Sequence, residues 1–236
     1  MQLFYQPELD QTHTNCLFPA AESLHLAKVL RKKSGDVVQV TNGKGYLFDV
    51  QLTHINPKQS VGEIVRTHFE APDAFHLHLA VAPTKSMDRF EWFLEKATEI
   101  GIHEITPIIC ENSERKVIKI ERLQKILQAA MKQSLRSYLP QLNEPVSLST
   151  LLENVQASQR FIAYCGDAGQ KPLTGLVKPK TAVLLLIGPE GDFSEKEIDM
   201  ATHHNFDAVT FGEKRLRTET AALVGCHIVN LANLSA

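Results

Sequence analysis

Residues 211–223 of this chain read FGEKRLRTETAAL, and they decide the fold because they join a strand, a turn and a helix. The apolar residues before Gly212 predict a strand, and the glycine opens a loop with three basic residues. Thr218 is a favoured N-cap residue, and the apolar positions after it predict a helix. Free backbone N–H groups converge at such a junction, so the segment predicts a ligand site. Arg215 and Arg217 indicate an anionic partner, with RNA favoured over a small acid.

The composition is that of an ordinary globular chain. Its 236 residues are 43% hydrophobic and 22% charged, which suits one large or two modest domains. The four cysteines form no C-x-x-C pair, which fits a reducing cytoplasm and argues against a disulfide framework. The first residues lack the pattern of a signal peptide, and no apolar run reaches the length of a membrane span. We therefore expect a cytoplasmic protein with no membrane partner.

The formal net charge of −2 conceals an uneven distribution. Residues 28–33 hold four bases and no acid, and residues 114–136 hold seven bases against two acids. A single run of charge is most often a solvated helix face. Two such runs in one chain, together with the arginines of the opening segment, favour a local surface that contacts phosphates.

We predict two domains, residues 1–72 and residues 73–236. The first has short strands, one helix and an Asn-Gly-Lys-Gly turn, which is typical of a small β-barrel. The second alternates strands and helices, which predicts an α/β domain with a parallel sheet. The predicted strands are 37–40, 46–52, 60–66, 75–82, 105–109, 161–164, 182–187 and 208–211, and the predicted helices are 24–30, 88–100, 118–139 (one helix or a pair), 195–204 and 218–232.

Residues 187–194 read IGPEGDFS and follow a strand that is apolar throughout. Ser194 and Glu197 predict a capping box, and Phe193 and Ile198 predict a hydrophobic staple. The glycines beside Pro-Glu allow the backbone to approach a flat ligand, although a plain turn between strand and helix explains the motif equally well. The patterns of dinucleotide-binding loops, P-loops and serine-hydrolase elbows are absent, which argues against those enzyme classes.

A polar stripe runs beside the apolar face of the predicted helix 88–100. Arg89, Trp92, Lys96 and Glu99 lie along it at helical spacing. These side chains could line a cleft or form a solvent-facing ladder of ion pairs, and spacing alone favours the ladder. The ten histidines show no partnered ligand pattern, so we expect no metal site.

The combination of motifs resembles the ribosomal RNA small subunit methyltransferase E family over nearly the whole chain. The sequences IGPEG and LRTETA, in this order and spacing, are its most specific features. The family usually has leucine where Phe211 stands here, which is a conservative change. The matching segments are residues 3–5, 25–31, 42–45, 96–101, 133–136, 187–191 and 216–221.

The resemblance implies an α/β fold class of two parts: an N-terminal PUA-like β-barrel and a C-terminal SPOUT domain with a trefoil knot, in a homodimer. Members of the family methylate N3 of uridine 1498 in the 16S rRNA of the 30S subunit. Their cofactor is S-adenosylmethionine, which has no pyrophosphate and therefore needs no dinucleotide fingerprint.

The resemblance also implies which residues form the site. The cofactor would be held, largely by backbone, at Cys165, Leu186, Ile187, Gly188, Pro189, Glu190, Gly191, Phe211, Gly212, Leu216, Thr218, Thr220 and Ala221. RNA would be positioned by Arg31, Lys32, Arg89, Gln133, Arg136 and Arg215, with Arg136 reaching the site of the partner subunit.

The chemistry of the substrate suggests roles for three further residues. Methyl transfer needs in-line geometry, and uracil N3 must lose its imide proton to become a good nucleophile. Arg217 is the first candidate to orient the base or to stabilise the developing negative charge. Glu219 and Glu99 are candidate proton acceptors, although Glu219 could instead complement the N-terminus of its helix.

Three alternatives stay open at this point. The chain could be a non-catalytic RNA-binding protein of ribosome assembly, although such a protein would not need a glycine-lined ligand turn. It could be a related knotted methyltransferase that modifies transfer RNA or a ribose 2′-hydroxyl, whose cofactor site would look alike. A protein that binds a small anion is disfavoured by the two basic runs.

Overall fold

A computed structural model describes residues 2–166 and 170–234 of the chain. It contains two compact units. The first comprises Met1–Pro72 and Gln128–Leu139, and the second comprises Asp73–Leu127 and Pro140–Ala236. The sequence analysis had assigned residues 128–139 to the second domain.

The first unit is built on a five-stranded sheet. The strand order is β1-β3-β4-β5-β2, in which β1 and β3 are parallel and the other neighbours are antiparallel. Alternate residues such as Phe48, Val50 and Leu52 are buried, as expected for strands with one face on a core. The strands are β1 Leu3–Tyr5, β2 Asn15–Leu17, β3 Val37–Thr41, β4 Tyr46–His54 and β5 Val61–Phe69.

The helix of the first unit is irregular. A short α1, Ala20–Leu24, continues as a π-helical turn over His25–Val29. The wider turn appears as a hydrogen bond from the Leu30 N–H to the His25 carbonyl at 2.9 Å. Arg31 then takes a left-handed conformation with φ of 51°, which ends the helix close to the predicted position.

The predicted turn after β3 is confirmed and has a clear cause. Asn42 Oδ1 accepts hydrogen bonds from the N–H groups of Lys44 at 2.8 Å and Tyr46 at 3.2 Å. Gly43 and Gly45 have φ angles of 72° and 91°, which glycine adopts without strain.

The second unit has an eight-stranded parallel sheet. Its order is β11-β13-β10-β12-β6-β7-β8, with β9 also paired to β7. The strand predicted over 182–187 is confirmed to the residue. The strands are β6 His76–Val81, β7 Glu104–Ile109, β8 Gln141–Leu142, β9 Val146–Ser147, β10 Gln159–Ala163, β11 Lys171–Pro172, β12 Ala182–Ile187 and β13 Asp207–Thr210.

Helices cover both faces of this sheet. Leu184 and Leu186 of β12 belong to a core with residues of α4 and α5, whereas the intervening Leu185 lies against Gly225 of α6. The helix α2 packs on α6. The helices are α2 Met87–Ile100, α3 Ile120–Gln133, α4 Leu148–Glu153, α5 Glu195–His203 and α6 Thr218–Leu234, with a 3-10 turn at Leu173–Gly175.

The helix ends show which stop signals the sequence carries. Gly101 closes α2 as predicted, with φ of 122°. The predicted helix 118–139 is too long at its C-terminal end, because α3 ends at Gln133. There Leu135 adopts φ of 58° and the Arg136 N–H donates to the Met131 carbonyl at 3.1 Å, which is the hydrogen bond of a Schellman end.

None of the helices within the described ranges is long and apolar enough to cross a membrane.

Candidate functional site

Three loops of the second unit start at the same level of the sheet. Ala163, the last residue of β10, is in register with Ile187 of β12 on one side and with Val209 of β13 on the other. All three strands are parallel, so the loops that follow them leave from one edge. In open parallel sheets, the carboxyl edge is where ligands bind.

Two hydrogen bonds join these loops. The backbone N–H of Cys165 donates to Asp192 Oδ2 at 2.8 Å, which connects the loops after β10 and β12. The hydroxyl of Thr218 donates to the Gly188 carbonyl at 3.0 Å, which connects the loop after β12 to the start of α6. The segments that carry the predicted cofactor contacts are therefore joined at this edge.

The expectation that Thr218 is the N-cap of the last helix is wrong. Thr218 is the first residue of α6, and the first helical hydrogen bond runs from the Ala221 N–H to the Arg217 carbonyl at 2.8 Å. The Thr218 side chain is buried and is used to bind Gly188 rather than to cap the helix. Its role is to fix the helix N-terminus beside the neighbouring loop.

The glycines of the IGPEG loop have a packing role. A Cβ on Gly188 would lie 3.0 Å from the ring of Phe193, and a Cβ on Gly191 would lie 3.1 Å from the Cβ of Asn112. The Asn112 amide in turn donates to the carbonyl of Gly191 at 3.2 Å. These glycines allow the loop to pack on its own structure, which the sequence analysis did not foresee.

Gly212 differs from those two glycines. It has φ of 124°, and a Cβ placed there would meet nothing within 4 Å. The glycine is therefore needed for its backbone conformation. The adjacent backbone is held by Thr210, whose hydroxyl donates to the Gly212 carbonyl at 2.9 Å.

The capping box that orients the loop after β12 is confirmed. Ser194 and Glu197 make both reciprocal bonds, at 3.3 Å to the Glu197 N–H and 2.9 Å to the Ser194 N–H. The second carboxylate oxygen of Glu197 accepts from the Glu111 N–H at 2.9 Å, so the box also holds the loop after β7. The predicted staple is in place, because Phe193 and Ile198 pack in the same core.

Glu190 holds a further loop at this edge. Its Oε1 accepts a hydrogen bond from the backbone N–H of Lys85, which follows β6, at 2.9 Å. The Lys85 carbonyl accepts from the Arg115 guanidinium at 2.8 and 3.1 Å. Arg115 belongs to the second basic run, and here it has a structural contact.

Glu219 is a buried carboxylate at the N-terminus of α6. The residue is 8% exposed, and its Oε2 has no hydrogen-bond partner within the described residues. Its Oε1 lies 3.9 Å from Nε of Arg89, which is too far for a hydrogen bond but close enough for an ion pair. A buried carboxylate with so few donors is costly, which is typical of a functional group.

Two exposed arginines precede this carboxylate in the sequence. Arg217 immediately precedes α6, and Arg215 lies beside the Cys165 thiol. Burial and the neighbouring Asp192 carboxylate raise the pKa of that thiol, and Arg215 opposes the shift. Cys165 is therefore not an activated nucleophile.

Glu99 lies in a different setting. Nζ of Lys96 is 2.8 Å from Glu99 and 2.7 Å from Glu95. Trp92, on the same stripe, is exposed. The stripe is thus largely the solvent-facing ladder that spacing favoured, whereas Arg89 also contacts Glu219 of α6.

The predicted RNA-binding residues divide between the two units. Arg31, Lys32, Gln133 and Arg136 lie in the first unit, whereas Arg89 and Arg215 lie in the second. The second basic run divides in the same way, and part of it is paired. Arg122 binds Glu91 at 2.6 Å, and Lys132 binds Glu22 at 2.8 Å.

Local sequence patterns do not indicate the contact between Arg89 and Glu219 or the anchoring roles of Asp192 and Asn112. The contact joins residues far apart in sequence, and no spacing rule carries that information. The part of the chain that the structure describes contains no group of three or more His, Cys, Asp or Glu side chains arranged to hold a metal ion.

Comparison with known proteins gives consistent matches over both units. The family model of an RNA methyltransferase domain matches residues 71–230, and that of an RNA methyltransferase PUA domain matches residues 18–65. The ribosomal RNA small subunit methyltransferase E of Mesomycoplasma hyopneumoniae is 31% identical over 206 residues, which cover 85% of this chain and 88% of that protein.

Two solved structures are similar along the whole chain. A probable rRNA-methyltransferase from Porphyromonas gingivalis superposes with a TM-score of 0.92 at 36% identity, covering 100% of this chain and 99% of that one. The ribosomal RNA small subunit methyltransferase E of Neisseria gonorrhoeae, bound to S-adenosyl methionine, gives a TM-score of 0.86 at 27% identity, with coverage of 99% and 98%.

Proposed function

The chain belongs to the ribosomal RNA small subunit methyltransferase E family, and on this premise we propose that it methylates N3 of uridine 1498 in 16S rRNA. The methyl donor is S-adenosylmethionine. The observation that carries the proposal is the carboxyl edge of the second unit, where hydrogen bonds join the loops after β10 and β12 to the N-terminus of α6 with its buried Glu219.

The residues at this edge fit a cofactor of that chemistry. When bound, S-adenosylmethionine supplies an activated methyl group on a cationic sulfonium. The loops present backbone groups and part-exposed apolar side chains (Phe211 and Leu216), which suit an adenosyl group without phosphates. The unpartnered carboxylate oxygen of Glu219 gives the edge a negative group that is compatible with a cation. The loop residues from Gly188 to Gly191 and from Phe211 to Ala221 would hold the cofactor.

Glu219 is the proton acceptor that the geometry favours. It is buried, its Oε2 accepts no hydrogen bond from the described residues, and it adjoins the proposed cofactor loops. The imide proton of uracil N3 passes to this carboxylate, which leaves N3 as a nucleophile. Glu99 is disfavoured for this role because Lys96 already binds it.

Three arginines have separate roles in this proposal. Arg217, exposed beside the start of α6, donates hydrogen bonds to the uracil oxygens, where negative charge develops when the proton leaves. Arg89 places a positive charge 3.9 Å from the Glu219 carboxylate and helps to position it. Arg215, exposed on the same loop as Arg217, contacts the RNA backbone.

The first unit supplies the remaining RNA contacts in this proposal. Arg31 and Lys32 follow the π-helical turn, and Gln133 and Arg136 lie at the end of α3. The protein acts in the cytoplasm as a homodimer on the 30S subunit, with Arg136 extending to the site of the partner subunit. The resemblance to the family supports these assignments.

Methyl incorporation tests the proposed function. The protein is incubated with S-adenosylmethionine labelled in the methyl group and with 30S subunits from a strain that lacks the modification. Label in 16S rRNA, with none in 50S subunits or transfer RNA, is the expected result. Cofactor binding without any incorporation would favour a non-catalytic assembly factor, and label in transfer RNA would favour a related methyltransferase.

A further inference from the structure

A second site lies at the opposite edge of the parallel sheet. The carboxyl halves of β6, β7 and β12 are covered by α4 and α5 through apolar residues such as Ala80, Ile108 and Leu186. Nearer the amino ends of β6 and β7, the corresponding positions are polar. There a cavity of about 640 Å³ opens over the sheet, within the size range of small-molecule sites.

The polar floor of this cavity is a connected hydrogen-bond network centred on Glu104. Its Oε2 is 2.8 Å from Nε2 of His76, and its Oε1 accepts from the Asn143 amide at 2.7 Å. Nδ1 of His78 lies 3.7 Å from Oε1. Nε2 of His78 and the Asn143 amide both reach the Thr106 hydroxyl, at 2.7 and 2.8 Å.

The network surrounds the negatively charged Glu104 carboxylate, which is partly buried. The hydrogen bond from His76, with help from His78 and Asn143, lowers the pKa of Glu104 to about 2. Burial lowers the pKa of His78, so this imidazole is uncharged at neutral pH. The Glu104 side chain is only 20% exposed. Neither a lysine nor an arginine is among these partners, so the carboxylate has no permanent cation beside it.

The rest of the lining does not supply that cation. Among the described residues that line the cavity there is no lysine or arginine, and Glu144 adds a second carboxylate. The other walls are largely apolar. They include Val146, Leu151, Val155, Ala182 and Leu184.

We infer that this cavity binds a small organic cation, a protonated alkylamine whose ammonium group lies at Glu104 and whose alkyl chain lies along the apolar walls. A partly buried charge is stable when a partner of opposite sign reaches it, and an ammonium ion provides both charge and hydrogen-bond donors. An anion or a nucleotide phosphate is disfavoured by the two carboxylates and by the lack of a lysine or arginine among the described lining residues.

The site is separate from the methyltransferase edge. His76 is the first residue of β6, whereas the cofactor loops follow the last residues of the neighbouring strands. Six residues of strand correspond to roughly 20 Å. Binding of an amine and binding of the cofactor can therefore be measured independently, and the inference does not rest on the proposed function.

Isothermal titration of the full chain with 1,4-diaminobutane and with n-butylamine at neutral pH tests the inference. Saturable binding of both amines is expected, with the stoichiometry of one site per chain. Glu104→Gln preserves the size of the side chain but removes its charge, and it should weaken binding roughly tenfold or more. The matched control is Glu153→Gln, a change at an exposed carboxylate outside the lining, which should leave the affinity unchanged.

A second variant covers the case in which Glu104→Gln disturbs the fold. Ala182→Leu narrows the cavity from β12 without touching the hydrogen-bond network, and it should also weaken amine binding while cofactor binding is retained. Equal affinity in wild type, Glu104→Gln and Ala182→Leu would overturn the inference. So would the lack of saturable binding at millimolar amine.

Discussion

Nε of Arg89 on α2 lies 3.9 Å from Oε1 of Glu219 on α6, and the other carboxylate oxygen of Glu219 is buried with no hydrogen-bond partner among the described residues. The pair connects two helices that pack together on one face of the parallel sheet. It places a partly satisfied carboxylate at the start of α6, next to the loops that we propose hold the cofactor. We regard this pair as the chemical centre of the proposed site.

Replacing Glu219 with glutamine should stop the proton transfer without changing the shape of the site. We expect kcat for methylation to fall by roughly 100-fold or more, because general-base catalysis contributes on that scale. Affinity for S-adenosylmethionine should change little. The matched control is Glu99→Gln, which should keep near-normal turnover because Glu99 is bound by Lys96. Near-normal turnover of Glu219→Gln would remove Glu219 from the mechanism.

Arg217→Ala should abolish methylation while the fold stays intact. Arg217 is exposed and its backbone carbonyl, not its side chain, makes the first bond of α6, so truncation removes little structural support. Loss of charge stabilisation of this kind costs roughly 100- to 1000-fold in kcat. Circular dichroism and the melting temperature provide the control for folding. If the variant turned over at the wild-type rate, another group would have to stabilise the uracil anion.

Gly188→Ala tests the packing role of the IGPEG loop. The new Cβ would lie 3.0 Å from the Phe193 ring, inside a buried core, so the ring must shift. We expect a loss of about 1–3 kcal/mol in the free energy of unfolding, measured by urea denaturation. Gly175→Ala is the control, because a Cβ there meets nothing within 4 Å. Equal stability of both variants would contradict this packing role, because it would show that the loop can accommodate a Cβ at Gly188.

The network around Glu104 predicts a pH-dependent stability. Its folded-state pKa of about 2 lies below the ordinary value of 4.5. The ionised carboxylate therefore stabilises the fold fully above pH 4.5, and this contribution is lost as the pH falls toward 2. At neutral pH, the free energy of unfolding of the wild type should be higher than that of Glu104→Gln by about 2 kcal/mol. This figure already includes a reduction for the partial exposure of the Glu104 side chain.

The same urea titrations at a series of pH values check this prediction. The difference between wild type and Glu104→Gln should shrink through the acidic window, whereas the difference for the exposed Glu153→Gln should stay near zero. A difference for Glu104→Gln that is constant with pH would contradict the proposed role of the charge.

Much of the second unit could be predicted from periodicity and caps. The run at 182–187 is apolar at every position, and the structure buries it between two helical layers. Ser194 and Glu197, which are three residues apart, form a capping box and so predict where α5 begins. The predicted combination of a PUA-like domain with a SPOUT-class methyltransferase domain is confirmed by the family models and the similar structures. That prediction rests on the family resemblance, because periodicity and turn signals indicate only a small β-barrel followed by an α/β domain.

Other features depend on tertiary contacts that local sequence does not reveal. The end of α3 was misplaced because Leu135 takes a left-handed conformation that usually marks a glycine. The strands β8, β9 and β11 have two residues each, too few to show an alternation. Thr218 resembles a cap in sequence, but its hydroxyl binds Gly188, which is far away in the chain.

The candidate site was only partly predictable for the same reason. Local motifs place Gly188 and Gly212 at turns, and both lie at the carboxyl edge of the sheet. They do not show that Arg89 leaves the polar stripe of α2 to meet Glu219. The roles assigned to Arg217 and Glu219 remain predictions for the variants above.

The proposed methylation of uridine 1498 at N3 is tested most directly by identifying the modified base. Unmodified 30S subunits are treated with the protein and S-adenosylmethionine, and the 16S rRNA is digested and analysed by mass spectrometry. We expect one N3-methyluridine, located at position 1498, and no product with Glu219→Gln. A methyl group on a ribose or on another base, or full product with Glu219→Gln, would contradict it.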